Sequence, residues 1–359
     1  MTLAAVVLFV GCAEEPSVST SPGLRVGSVL GASQQDAAFA KATRPRSFQF
    51  PRDHGAHPEY RSEWWYLTAG VRTEAGREFG VQFTIFRQAL YVSDAPDDPW
   101  RNGQMYLAHV ALTDVADDAH YEAERFARGH PQLAGVSDDP LGIAIEGWEL
   151  KLGDERWTLE ASTDAFTINL QLHPQKPAVY QGDRGLSAKG PGQASYYYSV
   201  PRLAARGQLE VGGERYSVSG LGWLDREWST SVLGGEQVGW DWFALMMADG
   251  RDVMVFRLRR RDQSRDPYDH GVMVAADGTA QQLAMADFRL QPLEFWRDER
   301  GVRWPIRWRL TVDDCEWIVS AAIEDQRMDT VLTYWEGLVH VSDTEGRRVG
   351  QGYMELTGY

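Results

Sequence analysis

Apolar and polar residues alternate along most of this chain in short runs, of which Phe79-Gly80-Val81-Gln82-Phe83-Thr84-Ile85-Phe86 and Asp252-Val253-Met254-Val255-Phe256-Arg257-Leu258 are representative. A period of two sends successive side chains to opposite faces, as in a strand, and Gly, Asp and Asn punctuate the runs at hairpin intervals. The best stretch of helical period, Ser33 to Lys41, precedes them. The pattern predicts an all-β protein of antiparallel strands in barrels or sandwiches.

The two halves of the chain match each other. Trp148-Glu149-Leu150-Lys151-Leu152-Gly153-Asp154-Glu155-Arg156-Trp157 aligns without gaps on Trp308-Arg309-Leu310-Thr311-Val312-Asp313-Asp314-Cys315-Glu316-Trp317, and each predicts a hairpin with an acidic turn. Upstream, Trp64-Trp65-Tyr66 leads to a turn at Ala75-Gly76-Arg77-Glu78 and a strand ending at Arg87. Trp240-Asp241-Trp242-Phe243 leads likewise to Asp249-Gly250-Arg251-Asp252 and a strand ending at Arg257 or Arg259. Each half closes on a Gly-flanked hairpin, Gly207 to Gly220 and Gly337 to Gly352. Three matches in one order predict two tandem β domains, residues 48–228 and 229–359, joined through Ser229 to Val238. Up-and-down barrels suit the pattern, because closure removes exposed edges and leaves an aromatic-lined interior.

Composition narrows the function. The 359 residues carry a net charge of −15, which argues against a nucleic-acid partner. The 14 Trp, 14 Tyr and 13 Phe favour aromatic-lined interiors. No apolar run reaches the roughly 18 residues of a spanning helix. Gly-x-Ser-x-Gly, His-Glu-x-x-His, Walker and strand-linked Gly-x-Gly-x-x-Gly signatures are absent, so neither a hydrolase nor a nucleotide or flavin enzyme is indicated, and no cofactor is expected.

The apolar run Met1 to Val10, closed by Gly11-Cys12, resembles a bacterial lipoprotein signal with Cys12 as the lipidated residue. Ala13-Glu14-Glu15 follows without Asp, which in such lipoproteins implies export to the cell envelope and outer-membrane retention facing the periplasm. Glu14 to about Arg46 reads as a tether, so residues 1–47 are signal and linker. Cys315 is the other cysteine; acidic neighbours raise a thiol's pKa, and it reads as strand filler.

Several segments carry a family resemblance: His57-Pro58-Glu59-Tyr60-Arg61-Ser62-Glu63-Trp64-Trp65-Tyr66, Phe83-Thr84-Ile85-Phe86-Arg87, His109-Val110-Ala111-Leu112-Thr113-Asp114 and Lys176-Pro177. Further on come Tyr196-Tyr197-Tyr198-Ser199, Trp223-Leu224-Asp225-Arg226-Glu227-Trp228, Gly239-Trp240-Asp241-Trp242, Tyr334-Trp335-Glu336-Gly337 and Gly352-Tyr353-Met354-Glu355-Leu356-Thr357-Gly358-Tyr359. From about Phe48 onward the chain resembles the AttH-type, carotenoid 1,2-hydratase-like (CrtC-like) family of secreted proteins. The resemblance implies two tandem lipocalin-like barrels and, in some members, hydration of isoprenoid double bonds.

Such hydration needs a carboxyl kept protonated by apolar walls, aromatic faces beside the carbocation, and a second group to orient water. Asp225 and Glu227 between Trp223 and Trp228 are the first candidates, followed by Glu63 beside Trp64 and Trp65, and by His109. Asp241 and Glu336 are flanked by aromatics too, although arginine pairing of any of these would lower its pKa and make it structural. Trp64, Trp65, Tyr197, Trp223, Trp228, Trp240, Trp242 and Trp335 are the candidate ligand-lining residues. His270 reads as a core histidine, and His54 and His57 have no third ligand at metal-site spacing, so no metal is expected. Two departures weaken a hydratase: Arg226 stands where relatives carry His, and Val253 to Arg257 holds no carboxylate.

The sequence therefore places first a membrane-tethered binder of a long apolar ligand, an isoprenoid or acyl lipid. A hydratase comes next, a hydro-lyase rather than a hydrolase, and third a structural partner in an envelope export or transport complex. A carboxylate facing an enclosed apolar cavity without an arginine partner separates the enzyme from the others.

Overall fold

The computed structural model describes residues 38–96, 98–230 and 233–359. Cys12, the signal-like segment and most of the tether lie outside the described residues. The described part of the tether is packed rather than free. Phe39 and Ala42 are buried, and the Ala40 amide donates to the Glu59 carbonyl at 2.9 Å, so the folded region starts before residue 48.

The described residues hold no α-helix and form two large antiparallel sheets of 13 and 10 strands, one of them nearly closed. In the first, Ala119–Arg128, Gln104–Asp114, Glu78–Ala89 and Ser62–Arg72 lie side by side, and Ser62–Arg72 then pairs with the last strand of the unit, Glu214–Ser229. Gln193–Val211, Phe166–Pro174, Trp157–Ser162 and Trp148–Leu152 continue the sheet. The second runs in the same order: Ala280–Ala284, His270–Val274, Asp252–Arg260 and Gln237–Met247, then Arg348–Leu356, Thr333–Ser342, Cys315–Ala321 and Arg303–Val312. The duplication visible in the sequence is thus a duplication of topology. One difference stands out: Phe166–Pro174 is inserted in the first sheet, which moves the Trp148–Trp157 hairpin one strand farther out than its counterpart.

Three apolar cores follow from strand alternation. On Ser62–Arg72, Trp65, Leu67, Ala69 and Val71 fill the first sheet's interior, while Tyr66 faces the other unit. On Gln237–Met247, Phe243, Leu245 and Met247 fill the second interior, while Trp242, Ala244 and Met246 return the contact. The third core is therefore a seam between the sheets, and its strands are apolar on both faces. Each large side chain withdrawn there from water contributes about 1.5–3 kcal/mol. An ion pair ties the units at one end, where Lys176 Nζ lies 2.7 Å from Asp252 Oδ2 and Arg202 Nε donates to Asp252 Oδ1 at 3.0 Å.

Close approach of the sheets needs small residues at the seam. A Cβ at Gly80 would lie 2.6 Å from the Tyr353 hydroxyl and 2.9 Å from Leu338 Cβ, whereas one at Gly135 would meet nothing within 4 Å. Gly80→Ala is expected to cost about 1–3 kcal/mol of stability and Gly135→Ala no more than about 0.5 kcal/mol, measured by urea unfolding.

Candidate active site

Glu214–Ser229 positions the acidic pair. Its alternation turns Trp223, Asp225 and Glu227 toward the seam and Leu224, Arg226 and Trp228 into the first core. Register places Ser199 and Tyr66 on either side of Asp225, and Tyr197 and Trp64 on either side of Glu227. Trp240 and Trp242 come from the second unit, and Glu355 comes from Arg348–Leu356. With Trp64, Tyr66, Tyr197, Asp225 and Glu227 they wall a narrow cleft of about 60 Å³. The cleft shares Phe86, Trp240 and Glu355 with an adjoining pocket of about 230 Å³, whose remaining wall is largely apolar and includes Met105, Leu107 and Leu332. The combined space approaches that of a small-ligand site, roughly 300 Å³ upward.

Asp225 is buried without a cationic contact. Its carboxylate accepts from the Tyr197 hydroxyl at 2.5 Å, the Ser199 hydroxyl at 2.5 Å and the Trp223 indole N–H at 2.7 Å. Burial pushes its pKa up to about 7 against the pull of these three donors, and the charge of Glu227 adds to the rise. Glu227 has an ion-pair partner, Lys189, with Nζ at 3.3 Å. Burial lowers the Lys189 pKa while Glu227 opposes the shift, and the ammonium sits 4.0 Å above the Phe256 ring.

Glu355 faces the junction of cleft and pocket. Glu355 is half-buried; desolvation by the surrounding protein, followed by the nearby charges of Asp225 and Glu227, raises its pKa to about 8, with Trp240 opposing. Glu336 lies opposite it in register and is fully buried. Desolvation, then the charge of Glu355, raises the Glu336 pKa well above the carboxylate range, with Tyr66 and Tyr334 pulling the other way, and neither carboxyl oxygen has a hydrogen-bond partner among the described residues. Two adjacent carboxyls in this setting hold at least one proton at neutral pH.

His109 stands behind this group. Its Nδ1 is 2.7 Å from the Tyr334 hydroxyl and its Nε2 is 3.0 Å from Glu124 Oε2. The imidazole therefore fixes a wall tyrosine from outside the cleft.

Of the residues singled out from sequence, Asp225, Glu227, Trp64, Tyr197, Trp240 and Trp242 meet at the cleft, and Trp223 holds Asp225 from its own strand. Glu63 is separated from them chemically. It reaches the apolar pocket's wall but is paired with Arg87 and, at 3.0 Å, with Arg226, and these charges with His57 outweigh its burial and hold its pKa far below the usual range. Trp65 lies under the Arg226 guanidinium at 3.8 Å, Trp228 stacks on His57 at 3.7 Å, and Trp335 donates to the Glu324 carbonyl at 2.9 Å in the second core. These three fill barrel interiors, and the pocket forms between the sheets instead of inside either one. Asp241 is bound by Arg257 at 2.6 Å and by the Tyr359 hydroxyl at 2.6 Å. His57 sits between Asp53 and Glu63, His54 meets the Tyr198 hydroxyl at 2.6 Å, and His270 packs against Phe256.

Both departures from the family pattern take on a different meaning. Arg226 faces away from the cleft and donates to the Gly55 and Trp64 carbonyls at 2.5 and 2.8 Å, so a side chain at this position does not meet Asp225. The carboxylate missing from Val253 to Arg257 is matched by Glu355 on the opposite neighbour of Gln237–Met247. Glu355 and Lys189 were not candidates from sequence, although Glu355 lies in the family-like C-terminal segment.

A carboxyl whose folded pKa is raised contributes stability that is complete below its unfolded pKa and lost as pH climbs through the folded value. For Glu355 that window runs from the ordinary glutamate value of 4.5 to about 8. Glu355→Gln is accordingly expected to match the parent chain near pH 4 and to be more stable by roughly 1–3 kcal/mol at pH 8, read from urea unfolding across pH.

Comparison with known proteins agrees with this architecture. The AttH-like family model matches residues 41–359. An AttH-assigned protein of Nitrosomonas europaea shares 32% identity over 89% of this chain and 100% of its own, with a TM-score of 0.80. Kievitone hydratase from Nectria haematococca shares 15% identity over 89% of this chain and 98% of its own at a TM-score of 0.62, a likeness of fold. CghA, at 12% identity, covers 91% of this chain and 97% of its own with a TM-score of 0.54. No curated protein matches the chain. A match through both sheets and across the seam leaves one conclusion: the chain belongs to the AttH-like family.

Proposed function

We propose that this protein is an acid–base enzyme that adds water to a carbon–carbon double bond of an apolar, isoprenoid-type substrate. The observation that carries the reading is Asp225, buried at an apolar cleft on three neutral donors with no arginine, beside a second carboxyl, Glu355, that holds its proton at neutral pH. This is the feature that separates an enzyme from a passive binder, and it reverses the order suggested by sequence.

The substrate tail occupies the pocket of about 230 Å³ and its alkene lies at the junction beside Glu355. Glu355 donates its proton to the less substituted carbon, the π pair forms the new C–H bond, and positive charge develops on the more substituted carbon. Trp64 and Trp240, each half-buried, line the junction there and supply aromatic rings beside the developing charge. Asp225, ionised and positioned by Tyr197, Ser199 and Trp223, orients the attacking water and accepts its proton as the C–O bond forms. Return of that proton to Glu355 completes the addition of one H₂O. The Glu227–Lys189 pair keeps the far wall neutral overall.

Retention of an apolar ligand without chemistry is the second reading, favoured by the apolar lining of the larger pocket. Lipidation at Cys12 and an outer-membrane location facing the periplasm belong to the proposal for either reading.

The test is incubation of the full chain with a panel of isoprenoid alkenes in ¹⁸O-labelled water, followed by accurate mass. One labelled water per turnover is expected, and Asp225→Asn and Glu355→Gln should each lower the rate by about 10²–10⁴-fold. A retained ligand of unchanged mass would make the protein a binder. With Asp225 ionised and Glu355 protonated in the active form, the rate is expected to rise through about pH 7 and fall above about pH 8.

A further inference from the structure

The larger pocket opens beside a concentration of exposed apolar side chains. Ten large hydrophobic residues are exposed among the described residues. Of these, Leu90 and Phe126 line the pocket itself, Tyr91 and Val92 follow Leu90 in the chain, Val331 adjoins Leu332, which also lines it, and Trp100 is tied to the Phe126 strand through Arg128. Tyr91 packs on Gly103 and donates its hydroxyl to the Arg101 carbonyl at 3.1 Å. Trp100 stacks under the Arg128 guanidinium at 5.0 Å and accepts from it through its carbonyl at 2.6 Å; Arg128 lies two residues from Phe126 on one strand. The patch is thus held in place by backbone contacts while its rings stay in water, at 65% exposure for Trp100 and 64% for Phe126. A contiguous exposed patch of this kind marks an interaction surface.

We propose that this rim docks on a lipid bilayer, so that an apolar substrate passes from the membrane into the pocket without crossing water. Three observations select a bilayer as the occupant. The rim is continuous with an apolar cavity, whose contents partition to lipid rather than to water. Its Tyr and Trp rings stand among charged residues of both signs, Arg101 paired with Asp94 at 2.7 Å and Arg128 over Trp100, a mixture that suits a zwitterionic headgroup boundary. The N-terminal segment also leaves the fold on this side. Ala40 pairs with Glu59, and two residues on, the Arg61 carbonyl accepts from the Ala89 amide, next to Leu90. The described chain begins at Ala38, so the segment that carries Cys12 joins the fold on the side that bears the rim. The docking surface stands independently of the acid–base chemistry, because it concerns residues outside the carboxyl group of the cleft.

The test uses the chain from Ala13 onward, which keeps every described residue and removes Cys12 and the apolar run, with phosphatidylcholine vesicles whose acyl chains are brominated, which quench only indoles that reach the hydrocarbon. Trp100→Phe keeps the patch apolar and reports contact, and Tyr91→Ser/Trp100→Ser/Phe126→Ser removes the patch at exposed positions. The parent chain is expected to be quenched, the quenching to be largely lost in Trp100→Phe, and the vesicle-bound fraction of the triple variant to fall at least fivefold with its thermal unfolding unchanged. Equal quenching in Trp100→Phe, or equal flotation of the triple variant, would overturn the proposal. So would a parent dimer that the triple variant converts to monomer without any vesicle binding, since the patch would then be a surface between copies of this chain.

Discussion

Carboxyl groups withdrawn from water without a cation are the constraint around which the rest of this molecule is arranged. An ionised carboxylate in such a place is expensive, so it either finds a positive partner or rests on neutral groups with its pKa raised. Both solutions occur side by side on the same sheets. Glu63, Asp241 and Asp252 are answered by arginine or lysine and serve as ties. Asp225 is answered only by neutral donors, and Glu355 and Glu336 face each other across adjacent strands. Placing the second kind at a seam between two sheets, and the first kind inside or at the ends, separates chemistry from architecture.

The seam is a product of duplication. Each unit has an interior of its own, filled with Trp and aliphatic side chains, and neither interior needs to stay open. A second apolar face on the same strands joins the units, with Gly70 and Gly80 allowing close approach and a cleft left among Trp64, Trp240 and Trp242. A wall built from two units lets the first supply Asp225 and Glu227 while the second supplies Glu355.

Much of this was legible in the sequence because it is local. Strand alternation, hairpin turns and the internal match depend on neighbouring residues, and all recur as topology. The pairing of Asp225 with Glu227 on one face was legible for the same reason, and so, with alternation applied strictly, was the orientation of Arg226 away from them. What could not be read depends on register between distant strands. Nothing near Glu355 in the chain announces that Glu336 lies opposite, nor does Lys189 signal that it reaches Glu227. Trp65, Trp228 and Trp335 look like their neighbours Trp64, Trp223 and Trp242 in composition, and only the face they occupy decides between core and cleft.

The central claim is that the seam holds protonated carboxyl at neutral pH, and infrared difference spectroscopy tests it directly. Titrating the full chain against Glu355→Gln and Asp225→Asn isolates the carbonyl stretch of each protonated acid. The account predicts a protonated-acid band that persists at neutral pH, titrates near about 8 and disappears in Glu355→Gln, with a second near about 7 assigned to Asp225. Complete ionisation of both side chains by mildly acidic pH would contradict it.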